Sequence, residues 1–379
     1  MDAVADFSLD ELRRWPDVEA DNLFAVDAAD RLLLAEAGGA LTGADVVVIG
    51  DRYGALTLGA LLERGARSVR VHQDPLSGEM ALDNNANGWD VAFSRHPLDP
   101  SLVAGARVIL LRLPRSLDAL DEIAELIARH ADPDGVLFAA GMVKHMSVAM
   151  NEVLGRHFAR LDVSRAEHKA RMLTVREPAP NVGPDQPDTW PRRTFDDELG
   201  LWVCAHGAAF AGTKVDIGTR FLLSALEAAL DENRLPASDA IDLGCGTGVI
   251  TAWLAQRGYQ VLATDQSSAA VASARATAIA NDVADLVTVQ RDDALSAQPD
   301  ASAPLIVLNP PFHIESAVHA GIAVKLFQDA GRVLEPGGEL WTVWNSHLAY
   351  KAALTRLVGP TREVARNPKF TVTVSTRRA

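Results

Sequence analysis

Asn309-Pro310-Pro311-Phe312 follows directly on the apolar run Leu305-Ile306-Val307-Leu308. That run reads as a buried strand of a parallel sheet, so the tetrapeptide stands at the strand's carboxyl end, where open α/β folds place their chemistry. Pro310 restricts the backbone of Asn309, and the proline pair fixes the path of the turn. The group offered is therefore a pre-aimed amide oxygen, with the Pro310 carbonyl beside it and the Phe312 ring two residues on. Two acceptors and a flat ring suit a planar group bearing an NH2. On a nucleobase the lone pair of such an amine is drawn into the ring. Accepting both of its hydrogens turns that lone pair toward an electrophile, while Phe312 stacks on the base.

The upstream partner is Asp242-Leu243-Gly244-Cys245-Gly246-Thr247-Gly248, which follows a short apolar strand and runs into Val249-Ile250-Thr251-Ala252-Trp253-Leu254. Glycines at every second position permit a tight turn and a close approach of backbone to ligand at a helix start. The spacing differs from the dinucleotide fingerprint and from the phosphate loop, which needs Lys-Ser/Thr. Asp242 would repel a pyrophosphate but suits the cationic amino-acid portion of S-adenosylmethionine. A second strand, Tyr259 to Thr264, leads to Asp265, placed for two ribose hydroxyls, with Gln266 next to it. A third, Leu286 to Gln290, leads to Asp293, where a carboxylate can accept from an adenine amine. The candidate cofactor set is thus Asp242, Gly244, Gly246, Gly248, Asp265, Gln266, Asp293 and Asn309.

The elements that must position these residues occur twice. Val46-Val47-Val48-Ile49 and the turn Gly50-Asp51-Arg52-Tyr53-Gly54 repeat the later strand and glycine turn, and strands over 67–71 and 107–111 continue the plan. A helix ahead of them carries Leu32, Leu33, Leu34 and Ala35 on its buried side. The chemistry is not repeated. Val48, Gly50, Arg52 and Gly54 stand for Asp242, Gly244, Gly246 and Gly248, so a side chain fills the cofactor space. Arg112-Leu113-Pro114-Arg115 stands for Asn309-Pro310-Pro311-Phe312. Duplication followed by loss of catalysis in the first half is the simplest inference, with Arg112 and Arg115 left at the former active edge to meet phosphate.

The expected architecture is α/β, with two tandem Rossmann-like methyltransferase folds, the N-terminal copy degenerate. The expected organisation is a non-catalytic RNA-recruiting domain over 1–177, a linker over 178–195 and a catalytic domain over 196–379. The Pro-rich stretch Pro178 to Pro187 suggests the linker. A strand pair over Leu199 to Cys204 and the region around Phe210 follows, and Asp216-Ile217-Gly218-Thr219 opens the helix into the second copy.

With 379 residues, 48% of them hydrophobic, the chain can bury two cores, and its formal charge of -14 argues against a general attraction to nucleic acid. An RNA partner must be met by a local patch, and between Lys144 and Arg193 basic residues outnumber acidic ones. Cys204 and Cys245 are too few for a disulfide framework and fit a reduced compartment. Cys245 reads as a small loop residue. The start lacks a basic segment followed by an apolar one, and no apolar run approaches a membrane span, so a cytoplasmic location is expected. His313, Glu315 and His319 do not share one helix face, and no metal site is expected.

The order Phe210, Asp216-Ile217-Gly218-Thr219, Asp242 to Gly248, Asp265, Asp293 and Asn309-Pro310-Pro311-Phe312-His313 resembles the "methyltransferase small" family of S-adenosylmethionine-dependent rRNA guanine-N2 methyltransferases. Val26-Asp27-Ala28-Ala29-Asp30, Lys169-Ala170-Arg171 and Asn367-Pro368-Lys369-Phe370 look most like the branch acting on 23S rRNA of the large subunit. The resemblance spans nearly the whole chain; Phe210-Ala211 departs from the usual Phe-Ser. It implies S-adenosylmethionine as methyl donor and the exocyclic N2 of a guanine as acceptor. Asn309, Pro310 and Phe312 would hold the base, and Arg112, Arg115, Lys169 and Arg171 are candidate RNA contacts. Neither a membrane nor an obligate protein partner is implied. Rival readings are a 16S rRNA guanine-N2 methyltransferase, a glutamine-N5 protein methyltransferase, a DNA amino-methyltransferase and a non-catalytic RNA-binding or assembly protein.

Overall fold

The computed structural model describes residues 7–180, 182–183, 186–235, 238–311 and 317–378. The chain divides into two compact units, Met1–Trp190 and Pro191–Ala379. In the first, the strands are β1 (Asp45–Ile49), β2 (Ser68–His72), β3 (Phe93–Arg95), β4 (Val108–Arg112), β5 (Val136–Met142), β6 (Phe158–Val163) and β7 (Ala170–Pro178). A short pair, β8 (Arg192–Asp196) and β9 (Leu201–Ala205), opens the second unit. Its main strands are β10 (Asp239–Leu243), β11 (Gln260–Asp265), β12 (Val287–Arg291), β13 (Ala303–Leu308), β14 (Leu334–Asn345), β15 (Thr361–Arg366) and β16 (Phe370–Thr376).

Both main sheets have seven strands in one order, β3-β2-β1-β4-β5-β7-β6 and β12-β11-β10-β13-β14-β16-β15. The first five strands in each order are parallel, the sixth runs antiparallel to them, and the seventh pairs antiparallel with the sixth. Val47, Val48, Leu110, Leu111, Ile306, Val307 and Leu308 are essentially inaccessible, as continuous apolar runs must be when helices cover both sheet faces. The strand order reverses between β1 and β4, and again between β10 and β13, leaving a crevice at each switch point. Ile49 pairs with Leu111 as Leu243 pairs with Leu308. Arg112 and Asn309 therefore occupy equivalent places, one residue beyond these pairs.

Each copy is entered through a helix with an aspartate cap. Asp27 caps helix Ala28–Leu41 in a capping box with Asp30, and Asp216 caps helix Ile217–Asp231 through the Gly218 and Thr219 amides. Leu32, Leu33 and Leu34 are buried as expected, whereas Ala35 points to solvent.

The sequence reading differs from the fold in two places. The partner of β9 is β8, and the region around Phe210 is a turn instead of a strand. Residues 192–195, expected in the linker, lie in β8, where Arg193 stacks over the Trp202 ring of β9 at 5.1 Å. Cross-strand contacts of this kind override the polar local composition. Among the described residues no helix is long and apolar enough to cross a membrane, and no cluster of three or more His, Cys, Asp or Glu is placed to hold a metal.

Candidate active site

The carboxyl ends of β12, β11, β10 and β13 stand side by side and deliver, in that order, Asp293, Asp265, the glycine turn and Asn309. In the turn Gly244, Gly246 and Gly248 all have positive φ, at 73°, 52° and 76°. A Cβ at Gly244 or Gly246 would meet nothing within 4 Å, so these two face open space that a ligand can enter. Gly248 differs. A Cβ there would lie 2.8 Å from Ala274 Cα, so this glycine serves the packing of its helix against helix Ser268–Ala280.

Asp242 is sealed beneath the turn, with 0% exposure. Its Oδ2 accepts from Thr251 N at 2.9 Å and Thr251 Oγ1 at 2.6 Å, while Oδ1 is buried with no partner among the described residues. Burial pushes its pKa up to about 7; the Thr251 bonds oppose this and the Asp265 charge adds to it. Asp242 anchors the turn from below, and any contact it makes to the methyl donor must be through the buried Oδ1. Burial likewise raises the Cys245 thiol well above its usual range, helped by Asp265 and Asp242, which removes it as a nucleophile.

Asp265 closes the turn from the side. Its Oδ2 accepts from Gly246 N at 3.1 Å and its Oδ1 from Ser267 N at 2.9 Å. A carboxylate oxygen can accept more than one hydrogen bond, so a carboxylate in this place suits two vicinal hydroxyls. The Gln266 carbonyl is held by Arg291 Nε at 3.1 Å. Asp293 carries an ion pair with Lys325 of helix Ala317–Val333, so an adenine amine would share this carboxylate with a lysine. Open space above two glycines, flanked by carboxylates at two neighbouring strand ends, fits a cationic nucleoside such as S-adenosylmethionine.

Asn309 lies at the other side of the switch point. Its Nδ2 donates to Thr219 Oγ1 at 2.9 Å and to Asp216 Oδ2 at 3.2 Å. An ionised carboxylate only accepts, so this contact fixes which end of the amide faces the helix. Oδ1 must point the other way, and it is buried with no partner among the described residues. An unmatched buried acceptor costs about 1–3 kcal/mol, which marks a place where a ligand donor is wanted. Gly218 makes room: a Cβ there would lie 2.8 Å from Asp216 Oδ2 and 3.3 Å from the Phe370 ring. Pro310 is buried. Phe312, His313 and Glu315 lie outside the described residues, as does the side chain of His319.

The first half keeps this framework with other groups in it. Arg112 takes the place of Asn309, Asp27 that of Asp216 and Asp30 that of Thr219. Arg112 Nη1 and Nη2 reach Asp27 at 2.7 and 2.8 Å, and Nε lies 3.4 Å from Asp30. With 7% exposure and both carboxylates engaged, Arg112 is not available to phosphate; that expectation is corrected by burial and pairing. The Arg112 side chain also fills the crevice: a Cβ on Gly50 would lie 3.3 Å from Arg112 Cβ, whereas the equivalent Gly244 has open space. Asp51 replaces Asp242 as the helix anchor, accepting from Thr57 N at 2.8 Å and Gly54 N at 3.0 Å. Of the other expected RNA contacts, Arg115 and Lys169 are exposed, and Arg171 is half-buried in β7.

Three participants escaped the sequence reading. Thr219 was legible as part of a motif but not as a partner of Asn309, although its place three residues after a cap aims it to the same side. Lys325 had no signal in a long helix. Asn345 ends β14 beside the Asn309 strand, and its Oδ1 is a second buried acceptor without a partner among the described residues.

Residues 200–374 match the family described as methyltransferase small domain, and residues 3–179 match the RLMG N-terminal domain. A "ribosomal RNA large subunit methyltransferase G" of Streptomyces coelicolor is 36% identical over 95% of this chain and 96% of its own. One of Ectopseudomonas mendocina is 35% identical over 96% of each. Among solved structures, a T. thermophilus 16S rRNA N2 methyltransferase in complex with AdoMet and guanosine superposes with a TM-score of 0.75 at 24% identity, over 93% of this chain and 92% of that one. That likeness shows the shared two-unit fold, and the full-length relatives show the family: the chain belongs to the ribosomal RNA large subunit methyltransferase G family.

Proposed function

We propose that the second unit transfers a methyl group from S-adenosylmethionine to the exocyclic N2 of a guanine in 23S rRNA, and that the first unit recruits the RNA without catalysing. The observation that carries this reading is the locked amide of Asn309, whose Oδ1, without a partner among the described residues, stands across the switch point from the glycine turn. The large-subunit assignment is supported by the names of the full-length relatives.

Bound S-adenosylmethionine supplies an electrophilic methyl group on a sulfonium. Gly244 and Gly246 leave the space for it, the Asp265 carboxylate accepts from the ribose hydroxyls, and Asp293 accepts from the adenine. The target guanine leaves its stack at a cost of a few kcal/mol and enters the pocket amine first. Asn309 Oδ1 and the Pro310 carbonyl accept the two amine hydrogens, which turns the nitrogen lone pair toward the methyl group. Asp216 and Thr219 keep the amide from rotating, so the rate comes mainly from positioning. Phe312 is assigned to stack on the base. No strong general base is required, because the methylated amine is acidic and sheds its proton to water or a carbonyl.

Tritiated methyl transfer to large-subunit and small-subunit rRNA, each as free RNA and as assembled particle, followed by mapping of the modified base, tests the reading. Label on a guanine N2 of 23S rRNA is expected. Label confined to 16S rRNA or to a protein glutamine would sink it.

A further inference from the structure

The crevice that Arg112 closes in the first unit is rimmed by cations, of which Arg52 feels the charges of Asp27 and Asp30, the two acids already bound to Arg112. Arg52 stands in the turn after β1, Arg115 just beyond β4, and Lys144 with His145 just beyond β5. His168 and Lys169 form the turn before β7, and Lys169 O accepts from Val143 N at 2.8 Å, which ties that turn to the end of β5. All four of these strand ends or turns lie on the carboxyl edge of one sheet. All of these side chains are exposed.

Two independent features set this edge apart from ordinary surface charge. Among the described residues, Arg52, Arg115, Lys144 and Lys169 form no ion pair with a carboxylate, and the closest polar contact of Arg115 is His145 Nε2 at 3.3 Å. Like charges have thus been drawn together in a chain of net charge -14. Burial, then the charges of Arg115, Lys144 and Arg52, lower the His145 pKa, and Asp27, already bound to Arg112, acts on it in the opposite sense. Glu167 adjoins the patch beside His168.

The second feature is backbone strain. Glu167 and Ala170 exchange backbone hydrogen bonds at 2.8 and 2.7 Å, closing a two-residue turn in which His168 and Lys169 have φ of 47° and 67°. Turns of this shape favour Asn-Gly, and each non-glycine residue in the left-handed region carries a penalty. A lysine stands here where glycine is the favoured residue, and the turn holds its side chain and that of His168 out from the sheet edge.

We propose that Arg52, Arg115, Lys144, His168 and Lys169 form a phosphate-binding edge on the degenerate unit, which holds the RNA backbone while the second unit acts on a base. The proposal deepens the recruiting role given above and rests on it. The ligand is the sugar-phosphate backbone, read without base specificity, since the edge offers point charges and no acceptor-lined pocket.

The test is equilibrium binding of the full-length protein to a large-subunit rRNA transcript across a potassium chloride series, with calorimetry of S-adenosylmethionine as control. R115S/K144S/K169S is expected to weaken RNA binding about tenfold at 0.1 M salt and to make the log-log salt slope shallower by about 2. Its S-adenosylmethionine affinity should stay unchanged, and in methyl transfer KM for RNA should rise with kcat intact. H168N/K169G is expected to relieve the turn and raise Tm while still lowering RNA affinity, a combination a purely structural role does not give. R107S, at the opposite end of β4, should bind RNA as wild type does. Unchanged RNA affinity and salt slope in both multiple variants would overturn the proposal. A wild-type protein that binds RNA but transfers no methyl group would instead sink the transferase reading and leave this edge standing.

Discussion

Asn309 donates its Nδ2–H to Asp216 Oδ2 at 3.2 Å, the same strand-end-to-helix-cap link that Arg112 makes to Asp27 in the first half. In both copies the residue after the fourth strand is gripped by the aspartate that starts the entering helix and by the residue three positions further on. What differs is the remainder of the gripped group. An amide held by its nitrogen still presents an oxygen; a guanidinium held by both carboxylates presents nothing. The two halves thus differ here by a change of side chain within a shared scaffold.

The proposed mechanism makes transfer depend on the amide oxygen. Asn309→Ala should lower kcat about 10²–10³-fold, the scale for losing one preorganised polar contact, while S-adenosylmethionine binding by calorimetry changes little. Full activity in this variant would refute the assignment.

Orientation of that amide is a separate matter from its presence. Thr219→Val removes the 2.9 Å partner of Nδ2 and should lower kcat about tenfold with RNA KM unaltered, consistent with about 1 kcal/mol for one hydrogen bond. Thr219→Ser should restore the rate. Equal loss in both variants would point to packing.

The glycines of the turn should separate into two kinds. Gly246→Ala places a methyl in the open cleft and should weaken S-adenosylmethionine binding more than it lowers Tm. Gly248→Ala drives a methyl into the Ala274 backbone and should lower Tm more than it weakens binding. Identical profiles would contradict the division.

Asp242, with a pKa raised to about 7 from 3.8, gives a signed pH dependence. Between these values the folded protein keeps a proton that the unfolded chain has lost. Stability therefore falls as pH rises through that window and levels off above about 7. Asp242→Asn should flatten this part of the Tm-against-pH curve, and an unchanged slope would show that the burial does not act as described.

In the first half, Asp27→Ala would strip Arg112 of its two-point partner and remove a helix cap. Breaking a buried pair by deleting one member costs about 3–5 kcal/mol, so denaturant melts should show a marked loss of stability with S-adenosylmethionine affinity preserved. A melt within 1 kcal/mol of wild type, roughly the scale of a cap alone, would show that Arg112 does not depend on this pair.

The sequence by itself determined the duplicated α/β plan, the glycine turn and the Asn-Pro-Pro strand end, because these are local patterns: apolar runs that must be buried, glycines at positions of positive φ, and prolines that stiffen their neighbours. It could also show that Arg52 and Arg112 break the cofactor pattern. It could not show that Arg112 would be consumed by Asp27 and Asp30, that Asp242 would lie beneath the turn, or that β8 would pair with β9. Only the tertiary structure decided those, since each depends on which side chain meets which across the fold. The oxygen of Asn309 is aimed by Asp216, 93 residues earlier, and a contact over that distance follows from how helix and strand pack, not from the composition of either.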